Sequence, residues 1–447
     1  MASRADGRVA AEHPAVIRGQ LTLTEAQLVG RVALRVRERE AQATTTTTTT
    51  NHPAPGTIVP IIHPDPIETL VTALAVREGG GVPLIGDDRW APEYWSRLRA
   101  LAESAEPAPG LAWATFSSGS TGTPRVILRS GRSWSASFAA VSGLLGLTDS
   151  DMVYLPAPLA SSMSLFSVAH ARTAGAGILL PRGHTVTAAD LEVATVVHCT
   201  PHALRAIIDA IDAGARHQLR AALVGGASLE PSLRRRAEAR GLRVVSYYGA
   251  AEFSFVAFDD DGLGLRPFPG VETRVDTLES GIGELWVRSA YFAAGYRALG
   301  TPSDAGGSMR RAEHGWATVG DLVDDKPGGP LRFRGRRDGA ILTAAATVIP
   351  EDVEAALRTI DGVDDAVVFG LPNAGAGSLV AALVETTPGP PRPTARELRE
   401  QAESRVGLTH LPRRWYGTER LPRTTAGKPA RAQIRTDALA GRLIRLD

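Results

Sequence analysis

The chain has 447 residues, too many for a single compact core, so its length predicts two or three domains. Hydrophobic residues at 43% and charged residues at 22% are ordinary for a globular protein, and 49 basic against 48 acidic residues leave a formal charge of +1, which gives no electrostatic reason to expect nucleic acid as a partner. The single cysteine, Cys199, excludes an internal disulfide framework and fits a reducing, cytoplasmic setting; no apolar run of about 18 residues could span a membrane, and nothing behind the first methionine reads as a signal peptide.

In chain order, Gln20 to Glu40 predicts a helix, with Leu21, Leu28, Val32 and Leu34 near helical spacing. The threonine run Thr44 to Thr50 has no apolar period to bury and predicts a loop. Leu111 to Thr115 reads as a strand. Short β-branched runs then alternate with helical patterns: Thr195 to His198 before a helix around Leu204 to Ile211, Ala221 to Val224 before a helix at Leu229, and Val244 to Ser246. Such alternation indicates parallel strands with crossover helices, an α/β core. Beyond about Gly264 the texture becomes a β-meander, as in Gly283 to Arg288 and Pro330 to Arg334. A helix is expected behind Pro350, strands at Ala366 to Gly370 and Leu379 to Val384, a loop at Thr387 to Pro393, and a helix over Ala395 to Val406. This tail of about 110 residues predicts a separate small α+β domain. The arginines Arg234 to Arg236 read as a solvated helix face.

Five segments carry chemistry. Phe116 to Arg125 (Phe-Ser-Ser-Gly-Ser-Thr-Gly-Thr-Pro-Arg) presents small hydroxyl and glycine residues whose N–H and O–H groups suit phosphate oxygens, although such a loop can also be a plain turn. It is not a Walker A loop, since no Gly-Lys-Ser/Thr follows, and no Gly-x-Ser-x-Gly elbow offers a serine nucleophile. Tyr247-Tyr-Gly-Ala-Ala-Glu252 ends in a carboxylate suited to Mg²⁺ or to plain solvent. Asp321 follows a glycine turn, where it could meet ribose hydroxyls or simply form the turn. Gly335-Arg-Arg-Asp338 lies at the inferred domain junction, and Lys428 sits on a glycine-preceded loop as a catalytic or a solvated lysine. His198-Cys-Thr-Pro-His202 does not make a zinc site, because Pro201 interrupts the spacing and no second ligand pair follows. It reads instead as a strand end entering a helix.

In this order and at these separations the segments resemble the adenylate-forming superfamily of acyl-CoA synthetases, nonribosomal adenylation domains and luciferases. The resemblance implies a large N-terminal AMP-binding domain (1–337), with parallel α/β subdomains and a β-rich part, and a small mobile C-terminal α+β lid (338–447). It implies that Ser117, Ser118, Gly119, Ser120, Thr121, Gly122 and Thr123 hold the ATP phosphates. Gly225, Gly226 and Ala227, with Tyr248 and Gly249, would bind adenine, and Asp321 the ribose. Glu252 would hold Mg²⁺, Arg336 would contact ribose or phosphate, Asp338 would be the hinge, and Lys428 the lid's catalytic lysine. His198, Cys199, Ala160 and Ser161 would border the acyl pocket. The implied reaction is ATP-dependent activation of a small carboxylic acid as acyl-AMP with release of pyrophosphate. Transfer to a thiol, coenzyme A or the phosphopantetheine of a carrier protein, would follow. The alternatives are transfer to an amine or other nitrogen nucleophile, or a non-catalytic nucleotide-binding homologue. The family's threonine before the Mg²⁺ glutamate is Ala251 here, its phosphate-loop lysine is Arg125, and its Ile-Lys-x-x-Gly after the hinge is Ile341-Leu342-Thr-Ala-Ala345.

Overall fold

The computed structural model describes residues 13–45, 54–90, 92–103, 106–117, 125–183, 185–279, 281–298, 309–324, 326, 328–336, 339, 341–342, 347–373, 377–386, 393–406, 409–424 and 427–447. The chain divides into two compact units, one of residues 1–115 and 128–247, the other of 116–127 and 248–447.

In the first unit, apolar β-branched runs buried on both faces assemble a parallel sheet, as such runs must. Its strands lie in the order Arg243–Ala250, Ala221–Val224, Val196–Cys199, Met152–Tyr154, Gly177–Leu179 and Pro14–Arg18. The edge is Leu21–Thr24, antiparallel to Pro14–Arg18. Gln20 to Glu40 is therefore not one helix: Leu21–Thr24 pairs as a strand, and the helix runs Glu25–Thr45, into the start of the threonine run. Residues 46–50 of that run and 387–392 of the Pro-rich stretch lie outside the described residues. A second set of parallel strands comprises Ile58–Ile61, Val82–Ile85 and Leu111–Ser117. The Leu204, Ile207, Ile208 and Ile211 face of helix Pro201–Asp212 packs on Val197, Cys199, Ala222 and Val224 of the large sheet.

Helix Pro231–Ala239 corrects one expectation. Arg236 does face solvent, paired with Asp209 and Asp212, but Arg234 is buried. Its guanidinium donates to the Val244 carbonyl at 3.1 Å and to Ser246 Oγ at 3.3 Å, tying helix to strand.

The second unit is antiparallel where the meander was expected. Glu272–Glu279 and Ile282–Arg288 form a hairpin, and Asp321–Asp324 pairs with Ile282–Arg288 on one side and Phe333–Arg336 on the other. Toward the C-terminus, Val363–Asn373, Gly377–Thr386, Arg414–Thr418 and Ile444–Arg445 form a sheet flanked by helices Pro350–Leu357, Ala395–Glu403 and Arg431–Leu439. The chain is thus α/β, with a small α+β assembly at its end. Among the described residues, no helix is long and apolar enough to cross a membrane.

Candidate active site

In the first unit the structure brings together His198, the Gly225 turn and the helix that follows Ala160 and Ser161. Strand Val196–Cys199 ends where Thr200 caps the next helix and Pro201 takes its first position, which accounts for the His-Cys-Thr-Pro segment in backbone terms. Successive strand residues point to opposite faces. Cys199 therefore enters the hydrophobic core beneath helix Pro201–Asp212, where burial pushes its thiol up to about 12. His198 faces the other way. Its Nδ1 shares a 2.6 Å hydrogen bond with Ser167 Oγ and its Nε2 a 2.9 Å bond with Tyr247 Oη. Burial first, then the neighbouring His170, pushes the His198 pKa down to about 3, so the ring is neutral at pH 7.

The Tyr247 ring occupies the space where a side chain at Gly225 would stand: a Cβ there would meet Tyr247 Cζ at 2.2 Å. Gly226, with φ +87°, turns the chain, and Ala227 is exposed. Ala160 is buried, and Ser161 caps helix Ser162–Ala174 by accepting from the Ser164 N–H at 3.1 Å. Its hydroxyl is thereby committed to the helix end.

In the second unit, Glu252 lies in the turn between strands Arg243–Ala250 and Ser254–Asp259. Ser254 takes the left-handed φ of +62°, rare for a residue with a side chain. Glu252 is 7% exposed, and Tyr296 Oη donates to its Oε1 at 3.1 Å while accepting from the Met309 N–H at 2.9 Å. A buried carboxylate with one anchored oxygen is a hard donor of the kind Mg²⁺ selects. Tyr248, expected against adenine, is stacked on Phe333 with ring centroids 3.5 Å apart.

Asp321 is buried at the start of its strand, and the antiparallel register sets it directly opposite Arg336. The turn before it is built from below. Gly320, at φ +83°, donates to Thr318 Oγ1 at 2.9 Å; that hydroxyl donates to buried Glu284 at 3.0 Å, and Arg310 pairs with the same carboxylate. Lys428 is half-buried in a closed turn rather than on an open loop: Thr424 N–H donates to the Lys428 carbonyl at 2.7 Å, and Gly427 N–H to the Thr424 carbonyl at 2.8 Å.

Residues Ser118 to Thr123, Asp338 and Ala345 lie outside the described residues, as do the side chains of Ser117, Arg125, Arg336 and Leu342. Tyr296, Phe333, Thr318 and Ser167 are site neighbours that no motif marks. Tyr296 is 44 residues from Glu252 and Ser167 is 31 from His198, so only the fold reveals the pairings.

The AMP-binding enzyme family model matches residues 33–297, more than half of the chain. This chain belongs to the AMP-binding enzymes. The model of that family's C-terminal domain matches residues 352–428. Among named relatives, "Probable 2-succinylbenzoate--CoA ligase" of Mycobacterium tuberculosis is 29% identical over 358 residues, covering 76% of this chain and 88% of the relative. "Uncharacterized acyl--CoA ligase YhfT" of Bacillus subtilis is 26% identical over 363 residues, covering 74% and 71%. The fold matches that of the o-succinylbenzoate CoA synthetase MenE from Bacillus subtilis at a TM-score of 0.76 and 18% identity, over 96% of both chains. It also matches the amide bond synthetase McbA from Marinactinospora thermotolerans at 0.78 and 24% identity, over 95% of this chain and 96% of that one. The first two of these relatives are named CoA ligases, and this chain shares the AMP-binding enzyme family with such proteins.

Proposed function

We propose that this AMP-binding enzyme converts a small carboxylic acid and ATP to acyl-AMP and pyrophosphate, then passes the acyl group to the thiol of coenzyme A. The observation that carries the reading is buried Asp321, set at the start of its strand behind the Gly320 turn, an acid for ribose hydroxyls. Residues 1–337 would form the nucleotide-binding body and 338–447 the lid, turning at Asp338.

The chemistry sets what each residue has to do. A carboxylate oxygen attacking the α-phosphorus approaches a polyanion, and the repulsion must be offset in a site that excludes water. Lys428 would bring a positive charge to the oxygens where negative charge develops as pyrophosphate leaves. Residues Ser117 to Thr123 would cradle the β- and γ-phosphates, Gly225 to Ala227 and the Tyr248–Phe333 pair would wall the adenine, and Asp321 would accept from the ribose hydroxyls. Glu252, braced by Tyr296, would hold Mg²⁺ together with the phosphate oxygens; bound there, the ion neutralises triphosphate charge. The acyl group would rest against the His198 and Ala160 side, where a neutral imidazole offers no counter-charge for a second anion. Cys199, turned into the core, and Ser161, committed to its helix, contribute packing.

Pyrophosphate exchange into ATP across a panel of carboxylic acids, with 2-succinylbenzoate included on the strength of the mycobacterial relative's name, tests the first step. ATP binding with no exchange for any acid overturns the ligase reading. Coenzyme A, a carrier protein and an amine, offered to the adenylate in parallel, separate the acceptors; McbA, named an amide bond synthetase, has the same fold, so fold does not decide between them. Lys428→Ala is expected to abolish most of the exchange while leaving the circular dichroism unchanged, and an unaltered exchange rate removes the role given to Lys428.

A further inference from the structure

The turn carrying Lys428 is mounted at two points, and neither uses the lysine. Arg423, before the turn, donates through Nη2 to Asp365 Oδ2 at 2.7 Å and through Nη1 to the Gly427 carbonyl at 3.3 Å. Next to it, Leu421 N–H donates to Glu385 Oε2 at 2.7 Å. Arg431, after the turn, grips Glu354 with both guanidinium nitrogens, the Nη2–Oε2 contact being 2.6 Å, and also donates to the Val368 carbonyl at 3.3 Å. Glu354 is 1% exposed and takes the Val368 N–H at 2.7 Å. The Arg423–Pro429 bridge and the Ala430 N–H to Pro422 carbonyl bond of 2.8 Å close the base between the two arginines.

The anchors belong to separate elements. Asp365 lies on strand Val363–Asn373, Glu385 on strand Gly377–Thr386 and Glu354 on helix Pro350–Leu357. A turn free to move would carry its lysine with it, whereas transfer chemistry rewards a charge already in place. Bidentate arginine–carboxylate pairs fix orientation as well as distance.

We propose that Arg423 and Arg431 are positioning residues for Lys428: two arginine clips, on Asp365 and on Glu354, hold residues 421–424 and 427–431 so that the backbone presents the lysine from one place. The proposal rests on the assignment of Lys428 to the adenylation step.

The variants are Arg431→Gln, Arg431→Lys and Arg423→Gln. Arg431→Gln leaves Glu354 buried with less compensation and could unfold the region. Arg423→Gln is milder, because Asp365 keeps Arg358 at 2.9 Å. With the acid that best supports exchange, both Gln variants are expected to lose on the order of 10²-fold in the pyrophosphate-exchange rate, the scale of a small misplacement of a catalytic group. The KM for ATP should stay within about twofold, with part of the rate recovered in Arg431→Lys. Consumption of a supplied acyl-adenylate by coenzyme A should stay near the parent rate, since that step has no carboxylate–triphosphate repulsion to offset.

Backbone hydrogen exchange gives a readout that needs no activity. The Thr424 and Gly427 amides should lose protection in the Gln variants, while amides of strands Val363–Asn373 and Gly377–Thr386 keep theirs. An unchanged exchange rate, retained protection at Thr424 and Gly427, or a parallel loss of protection in the strands would each overturn the positioning role. If the parent protein activates no acid, the ligase reading falls, and the hydrogen-exchange comparison still decides whether the arginines hold the turn.

Discussion

Gly225 illustrates how one missing side chain fixes the positions of its neighbours. The Tyr247 ring fills the space a Cβ would need, and the ring is pinned from behind by His198, itself held by Ser167. The atoms that a Cβ would meet are the outer end of that ring, and its hydrogen bond to His198 keeps them there. Gly225→Ala should therefore force the ring off its hydrogen bond and destabilise the protein by about 1–3 kcal/mol, the usual scale of overpacking. Urea denaturation measures this directly, and an unmoved midpoint would show that the contact relaxes without cost. The chemistry of these residues was partly legible in the sequence. Glycine at 225, histidine at 198 and the acid at 252 stand in recognisable segments. The hydroxyls that hold them, Ser167, Tyr247 and Tyr296, come from other elements and have no local signature.

Elements whose apolar residues keep one period over their whole length were readable in outline. Ala221–Val224 matches its expected bounds, and helix Pro201–Asp212 extends its expected core by about a turn at the start. Elements whose identity depends on a distant partner were not readable. Leu21–Thr24 is a strand because Pro14–Arg18 pairs with it, and Pro14–Arg18 is itself ordered along Gly177–Leu179. Arg234 escaped a sequence reading for the same reason. On the helix alone it belongs to a charged face, but Val244 and Ser246 supply a buried seat. Arg234→Ala is expected to cost about 1–3 kcal/mol, because it takes the guanidinium from a buried carbonyl and a half-buried hydroxyl. The adjacent Arg236→Ala, which loses only solvent-screened pairs to Asp209 and Asp212, should change stability little. Thermal unfolding of the two variants side by side tests the contrast, and equal effects would mean that Arg234 is not the tie between helix and strand.

At the scale of the molecule, the first unit stores two histidines in their neutral form, and this makes its stability depend on pH in a defined direction. Burial pushes His170 down to about 4 and His198 down to about 3, against 6.5 for an ordinary imidazole. Both sit in one aromatic cluster with Phe166: His170 lies 5.7 Å from that ring and shares a 2.8 Å hydrogen bond with Ser142, and His198 lies 6.2 Å from the same ring. In the unfolded chain each ring takes up a proton as pH falls past about 6.5; in the folded chain neither does until near pH 4 or below. Over that interval the unfolded state binds more protons. The stability contributed by the neutral rings is thus complete above about pH 6.5 and is lost as pH falls toward the folded values. The slope is on the order of 1 kcal/mol per pH unit for each histidine. Carboxylates held low by arginine, such as Asp151 beside Arg220, add their loss only in the more acidic range. Asp352 and Glu354, whose carboxyls burial raises, act in the opposite sense, so the contribution of His198 is read by removing it alone. His198→Gln, which keeps a donor and an acceptor for Ser167 and Tyr247, should lower stability at pH 7.5 but reduce the slope between about pH 6.5 and 5. Denaturant midpoints collected at half-unit steps of pH test this, and a slope identical in both proteins would mean that His198 is already protonated in the fold.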